Sequence, residues 1–180
     1  MTKTPAPDEL DPENFGALFA TVQRSASHLE LRDAYTPDDP LFLRWLEGGI
    51  TPDDIAEHEH EWARIVRVTV ARGVEMRRAR VVSEPLAPFT RFEYDGAGAL
   101  NQAAGEQVRW LPRRNASDLC LPGNDFWLLD GRLVRFGHFS GVGDYLGAEL
   151  ATDPAVVKHC ARAFEAVWDR AIPHDEYRPR

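Results

Sequence analysis

MRRARVVSEPLAPFTRFEYDGAGALNQAAGEQVRWL, residues 76–111, is the stretch that decides the architecture. Residues 76–84 alternate around the β-branched pair Val81-Val82, the pattern of a strand. Pro85 opens a predicted helix that runs to Tyr94 and is loosened by Gly96 and Gly98 before residues 100–104. Gly105-Glu106 then turns into a second predicted strand, 107–111. Strand, helix and strand within about 35 residues have the size of a βαβ unit. The crossover of such a unit is right-handed in nearly all known cases.

Downstream, FWLL (126–129) and RLVRFGHF (132–139) flank Asp130-Gly131, the strongest short signal for a tight hairpin. Gly141, Gly143 and Gly147 space out a predicted loop. Asp153-Pro154 starts a long helix whose face is Val156, Val157, Cys160, Phe164, Val167, Trp168 and Ala171, ending before Pro173. Upstream, Asp11-Pro12 is a helix start, and Phe15, Leu18, Phe19 and Val22 recur at the spacing of one buried face. ASHLEL (26–31) fits a short strand or a helical tail equally well. A further helix starts at Asp39-Pro40, and another runs from the Thr51-Pro52 cap to Gly73.

The expected fold is therefore a single α+β domain over 1–180. It has a flexible leader at 1–12, a mainly helical segment at 13–73, and at 74–180 a mixed sheet of about four or five strands with a βαβ unit, a hairpin and a long C-terminal helix. With 180 residues, 43% of them hydrophobic and five of them Trp, the chain can bury a substantial core, which excludes disordered and disulfide-scaffold classes. No apolar run approaches the roughly 20 residues that cross a bilayer, and no secretory signal is present, so a soluble cytoplasmic protein is expected. Cys120 and Cys160 lack partner spacing and read as small buried apolar side chains.

The net charge of −8 is unevenly distributed: residues 1–62 carry −10, 63–114 carry +5 and 115–180 carry −3. Acidic flanks folded against the basic middle would neutralise it, which argues against direct nucleic-acid binding. Glu57-His58-Glu59-His60-Glu61 is the densest set of metal-ligand types. Histidines two apart on a helix point in nearly opposite directions, whereas zinc helices need them four apart, so no metal and no cofactor is expected. There is no Gly-x-Ser-x-Gly elbow and no Walker or Rossmann glycine pattern. Ser83, at the end of the first predicted strand, reads as a cap for the helix that follows.

The charged and polar residues interleaved with apolar ones are more telling: Arg80, Glu84, Arg91, Glu93, Asn101, Glu106, Arg109 and Asp125, with Trp127 beside them. Strand ends and a crossover helix would bring several to one rim, either as a structural ion-pair network or as the polar floor of a ligand pocket. Arg80, Glu84, Arg91, Glu93, Asn101, Glu106, Asp125 and Trp127 are the candidate ligand-binding residues, and no catalytic residue is assigned.

The chain is similar to an actinobacterial domain-of-unknown-function family, numbered 6879. The similarity lies in SASHLELRDAY (25–35), RVVSEPL (80–86), RFE (91–93), AGE (104–106), DFWLLD (125–130) and PHDEY (173–177). It covers nearly the whole chain from Phe15. These strings carry no known chemistry. Many family members are encoded beside helix-turn-helix regulators, so the resemblance implies a non-catalytic regulatory or binding module that acts with a partner protein or a small ligand, with homodimerisation a companion expectation. An enzyme with an unrecognised site, or nucleic-acid binding through the basic middle, is the alternative. The order of elements also resembles one half of the phospholipase D fold, where two His-x-Lys motifs meet. Here no His is followed two positions later by Lys, Lys3 and Lys158 being the only lysines, and His138 is the nearest candidate for a relic.

Overall fold

The computed structural model describes residues 9–58 and 60–180. In chain order the elements are α1 (Phe15–Ala20), β1 (Ser25–Glu30), α2 (Pro40–Leu46), α3 (Pro52–His58), α4 (His60–Val70), β2 (Glu75–Val82), α5 (Pro88–Leu100), β3 (Gln107–Pro112), β4 (Asp125–Leu129), β5 (Leu133–Phe139), β6 (Tyr145–Ala151), α6 (Pro154–Arg170) and β7 (Ile172–Pro173). The strands form one mixed sheet in the order β6-β5-β4-β1-β2-β3-β7, with β1, β2 and β3 parallel and the remaining pairs antiparallel.

The expected βαβ unit is β2-α5-β3, and its two strands are adjacent. The hairpin is β4-β5, closed at Asp130-Gly131 with φ of 53° and 65°, the left-handed backbone that a tight primed turn requires. ASHLEL resolves as a strand: β1 lies between β2 and β4 at the centre of the sheet. Two strands were not expected. The glycine-spaced stretch turns at Ser140–Asp144 and continues as β6, while two residues after α6 pair with β3 as β7. Gly96 and Gly98 do not interrupt α5. Gly96 sits where a Cβ would meet the Ile55 side chain at 3.2 Å, so its lack of a side chain lets α3 pack closely.

Helix starts follow local chemistry with some shifts. α1 is capped by Asn14, which accepts from the Ala17 N–H, and Asp11 instead accepts from the Glu13 N–H in the preceding turn. Thr51 Oγ1 accepts from the Asp54 N–H, and the Asp54 carboxylate accepts from the Thr51 N–H and hydroxyl, so each end of this pair caps the other. α5 begins at Pro88 with Ala87 before it, so Ser83 is not its cap. Of the expected leader, residues 1–8 lie outside the described residues, and the Pro12 carbonyl is held by Arg135. Cys160 is buried as expected. Cys120 is exposed, because it follows the turns after β3 and does not lie on an element's inner face. Among the described residues no helix is long and apolar enough to cross a membrane.

The two faces of the sheet differ. One packs Leu29, Ala79, Val81, Leu111, Phe126, Leu128 and Val134 against Val157, Cys160, Phe164 and Val167 of α6, all of them apolar. On the other face, α1 and α4 cover Ala26, Met76, Leu129 and Leu133. Beyond them, towards the carboxyl ends of the parallel strands, that face turns polar.

Asp130 ties the hairpin to the chain entering β1. Its carboxylate accepts from the backbone N–H groups of Gln23, Arg24 and Ser25 at 2.8–3.1 Å. Burial alone would raise its pKa, but the N–H groups of Arg24, Ser25 and Gln23 outweigh burial and hold it below the usual 3.8. A depressed folded-state pKa means stability that is present above the unfolded value and is lost as pH falls through the folded one. Asp130→Asn is therefore expected to cost about 1–3 kcal/mol near neutrality in urea denaturation, with the difference from wild type shrinking on acidification.

Candidate functional site

Strand register builds the polar half of the second face. His28 pairs with Arg78 on β2 and with Trp127 on β4, Glu30 pairs with Arg80, and Trp127 pairs with Arg135. Because side chains alternate, His28 and Glu30, Arg78 and Arg80, and Asp125 and Trp127 all point to the same side. α5 adds Glu93 from above, and the turn after it adds Asn101 and Glu106.

Glu30 stands at the centre, 5% exposed. One oxygen pairs with Arg78 Nη1, and the other lies 2.9 Å from Arg80 Nε. The second contact is electrostatic only, because it lacks hydrogen-bond alignment, and Glu30 Oε2 accepts no hydrogen bond. Arg78 also donates from Nε to Glu106 at 2.9 Å, and the second Glu106 oxygen accepts from Asn101 Nδ2 at 2.5 Å. The Arg78 guanidinium lies over the Trp62 and Trp127 rings, at 5.5 and 5.3 Å. Arg80 Nη1 contacts Glu93, and its guanidinium lies 5.2 Å from the centre of the Trp110 ring. Asp125 accepts from the Leu31 N–H at 2.8 Å and from the Tyr35 hydroxyl at 2.5 Å.

These charges shift one another. Burial opposes ionisation of Glu30, but Arg80 and Arg78 outweigh burial and hold it well below the usual carboxylate range. Burial raises Glu93 to about 7 despite Arg80, with the Glu30 charge adding to the rise. The two carboxylates share one guanidinium, and Glu93 takes the proton first as pH falls. Burial likewise raises Asp125 to about 6, against the hydrogen bond from Tyr35. Burial and then Arg78 lower His28 to about 4, so it is a neutral imidazole at pH 7, stacked 4.2 Å over Trp127.

Two cavities open beside this floor. One, about 330 Å³, is bounded by Glu30, Glu93, Asp125 and the rings of Phe15, Tyr35 and Phe139. The other, about 290 Å³, lies over Arg78 and Arg80 against Ile55, Trp62 and Phe92. They share Phe15, His28, Glu93 and Trp127, so they are two lobes of one groove at the carboxyl ends of β1 and β2, where open parallel sheets place their ligand sites.

Of the residues predicted from sequence, the structure brings Arg80, Glu93, Asn101, Glu106, Asp125 and Trp127 to this floor. Glu84 lies apart, accepting from the Tyr177 hydroxyl and Arg114, and Arg91 lies on the outer face of α5, paired with Asp95. Arg109 is on the other side of the sheet, over Trp168. His28, Glu30, Arg78, Tyr35 and Arg135 were missed. The signal for His28 and Glu30, polar residues alternating with Leu29 and Leu31, was readable only once 26–31 was known to be a strand, and Arg78 and Arg135 join the site through the register of β2 with β1 and of β5 with β4. Ser83 is held by Asp33, to which it donates at 2.6 Å, and by Arg113 Nε, from which it accepts at 3.1 Å. His138 is 3.7 Å from Glu149 on the hairpin, away from the groove. In the His-Glu cluster, His58 Nδ1 contacts the Asp54 carbonyl at 2.8 Å, and Glu59 lies outside the described residues.

The basic middle segment is largely occupied from within. Arg77 pairs with Glu165, Arg113 with Asp33 and Arg64 with Glu61, while Arg72 donates to the Phe19 and Val22 carbonyls.

The chain belongs to the family described as Domain of unknown function (DUF6879), whose profile matches residues 13–179. No curated protein matches it. Among solved structures, it is similar to TrmBL2, an archaeal chromatin protein whose structure shows a novel mode of DNA binding, at 15% identity and a TM-score of 0.44. That match covers 87% of this chain and 47% of the other, so this chain spans about half the length of that relative. It is also similar to NucT from Helicobacter pylori, at 11% identity and a TM-score of 0.48 over 88% of this chain and 87% of the other. At these scores neither likeness carries a functional conclusion.

Removing one partner of a buried charge pair strands the other. Arg78→Met, which leaves Glu30 and Glu106 short of a cation, is expected to cost roughly 3–5 kcal/mol at neutral pH in urea denaturation. Glu93 behaves oppositely. Its folded pKa is raised, so its contribution is full below the usual 4.5 and is lost as pH rises through about 7. Glu93→Gln should therefore lose less stability than wild type across that interval, a difference read from paired denaturation curves at its two ends.

Proposed function

We propose that this member of the family works by binding a small molecule in the groove over β1, β2 and β4, as a non-catalytic module. The observation that supports this best is the pairing of a locked floor with an open space. Arg78 and Arg80 are fixed by carboxylates on neighbouring elements and line a lobe of about 290 Å³, and a second lobe of about 330 Å³ with several aromatic walls adjoins their partners Glu30 and Glu93. A floor of this kind is preorganised, so a ligand meets set charges and rings without the cost of ordering them. The volume suits a compact organic molecule and falls within the usual size of ligand pockets.

Two further features agree with this reading. The arginines of the middle segment are taken up by internal partners, which leaves little of the free positive surface that phosphate backbones require. His28, the histidine facing the groove, is stacked, buried and depressed to about 4, which makes it a weak proton acceptor near neutrality.

Gly137 offers a direct test. It lines the cavity, and a Cβ there would meet the Phe139 ring at 3.3 Å and Arg135 Nη1 at 3.9 Å, so a leucine would fill the space. Native mass spectrometry of gently purified protein should show a retained small molecule, or a panel of small metabolites should raise the melting temperature, and Gly137→Leu should abolish either effect. No retained species and no stabilisation by any compound in wild type would reject the reading.

A further inference from the structure

The charges of the groove floor do not balance. Four carboxylates, Glu13, Glu30, Glu93 and Asp125, line the larger lobe with a single guanidinium, Arg135, while Arg78 and Arg80 line the other lobe, where Arg78 meets Glu30 and Arg80 meets Glu30 and Glu93. Arg135 is offset by Glu13, 3.7 Å away, and its Nε and Nη2 donate to the neutral Pro12 carbonyl at 2.6 Å and the neutral Tyr145 hydroxyl at 2.8 Å, so it gives no hydrogen bond to Asp125. Asp125 has only neutral donors, the Leu31 N–H and the Tyr35 hydroxyl. Glu30, whose Oε2 lies 2.9 Å from Arg80 Nε but accepts no aligned hydrogen bond, also lines the cavity. The walls are aromatic: Phe139 meets Tyr35 and Tyr145 edge-on, with ring centres 5.1 and 5.4 Å apart, and Phe15 also lines the space.

An anion in this space would face carboxylates, while the guanidiniums of Arg78 and Arg80 are already ion-paired to Glu30, Glu106 and Glu93. A cation would supply the missing positive charge and gain from the negative faces of the rings.

We infer that the larger lobe of the groove binds a small organic cation, an ammonium carrying a compact apolar or aromatic body, with its charged head between Asp125, Glu30 and Glu93 and its body against Phe15, Tyr35 and Phe139. This rests on the reading of the groove as a ligand site and adds the chemical class of the ligand. The cation binds best when Asp125 and Glu93 are both ionised. Tyr35, Glu30 and Arg32 face Asp125, and Arg80, Arg78 and Glu30 face Glu93, while His28 stays neutral above its pKa of about 4. Affinity for a cation therefore rises as the pH is taken from about 5 to 8.

Isothermal titration calorimetry of the full chain with three probes of one shape, phenethylammonium, phenethyl alcohol and phenylacetate, tests this. Phenethylammonium is expected to bind at least about tenfold more tightly than either of the others, and about tenfold more weakly to Asp125→Asn and to Glu93→Gln. If one variant fails to fold, the other variant and the pH dependence of the wild-type protein carry the same information. Preferential binding of phenylacetate or the alcohol, lost in Gly137→Leu, would overturn the cationic class while leaving the ligand site standing. No binding of any of the three would overturn the inference, and if native mass spectrometry and the metabolite panel were also blank, the ligand-site reading would fall with it. Cation binding unchanged in both carboxylate variants and flat with pH would overturn the assignment of the head group to these residues.

Discussion

A carboxylate buried at the middle of a sheet is tolerable only if cations reach it from its own layer. Glu30 meets that condition because β1 lies beside β2 in parallel register, so that Arg78 and Arg80 rise on the same face within contact of it. Much else on that face follows from this one requirement. Arg78, itself buried, needs further partners and finds Glu106 and the rings of Trp62 and Trp127; Glu106 in turn needs Asn101. Arg80 draws Glu93 down from α5, which fixes the helix over the sheet. The network acts as a set of distance restraints between elements distant in sequence, while the opposite face is held by ordinary apolar packing against α6.

The same chain of pairings creates the asymmetry that gives the groove its character. Glu30 has first claim on both arginines, so Glu93 and Asp125 are desolvated with incomplete compensation, and burial raises both pKa values. α5 is held over the sheet by the Glu93–Arg80 pair and by the packing of Phe89 and Phe92 on Phe42, and a cavity of about 330 Å³ remains beside the two carboxylates. Raised carboxyls next to an aromatic-walled cavity form a site whose charge is completed from outside.

The fold was largely legible because its strongest signals are local: alternation in 76–84, the Asp130-Gly131 turn, and the long apolar face of α6 with its Asp153 cap. The missed strands show where local signals stop. β7 is two residues long and exists only because β3 offers an edge, and β6 lies in a glycine-rich stretch whose partner, β5, supplies the pairing. The site was half legible for a related reason. Periodicity places Asp125 and Trp127 on one face of a strand, and their charges mark Arg80, Glu93 and Glu106. Which strand lies beside β2 is a non-local fact, and β1, with polar residues on one face and small ones at its start, reads equally well as a helical tail. Without it, His28, Glu30 and Arg78 have no place in the site, and Glu84 and Arg91 are as eligible as Glu93 although their side chains point elsewhere.

The division of labour between the floor carboxylates can be measured directly by following side-chain carboxyl resonances of labelled protein through a pH titration by NMR. Glu30 should remain ionised throughout the range in which the protein stays folded, while Glu93 titrates near 7 and Asp125 near 6. Ordinary titration of Glu93 and Asp125 near 4, or protonation of Glu30 before either of them, would contradict the view that Glu30 commands both arginines and leaves its neighbours uncompensated.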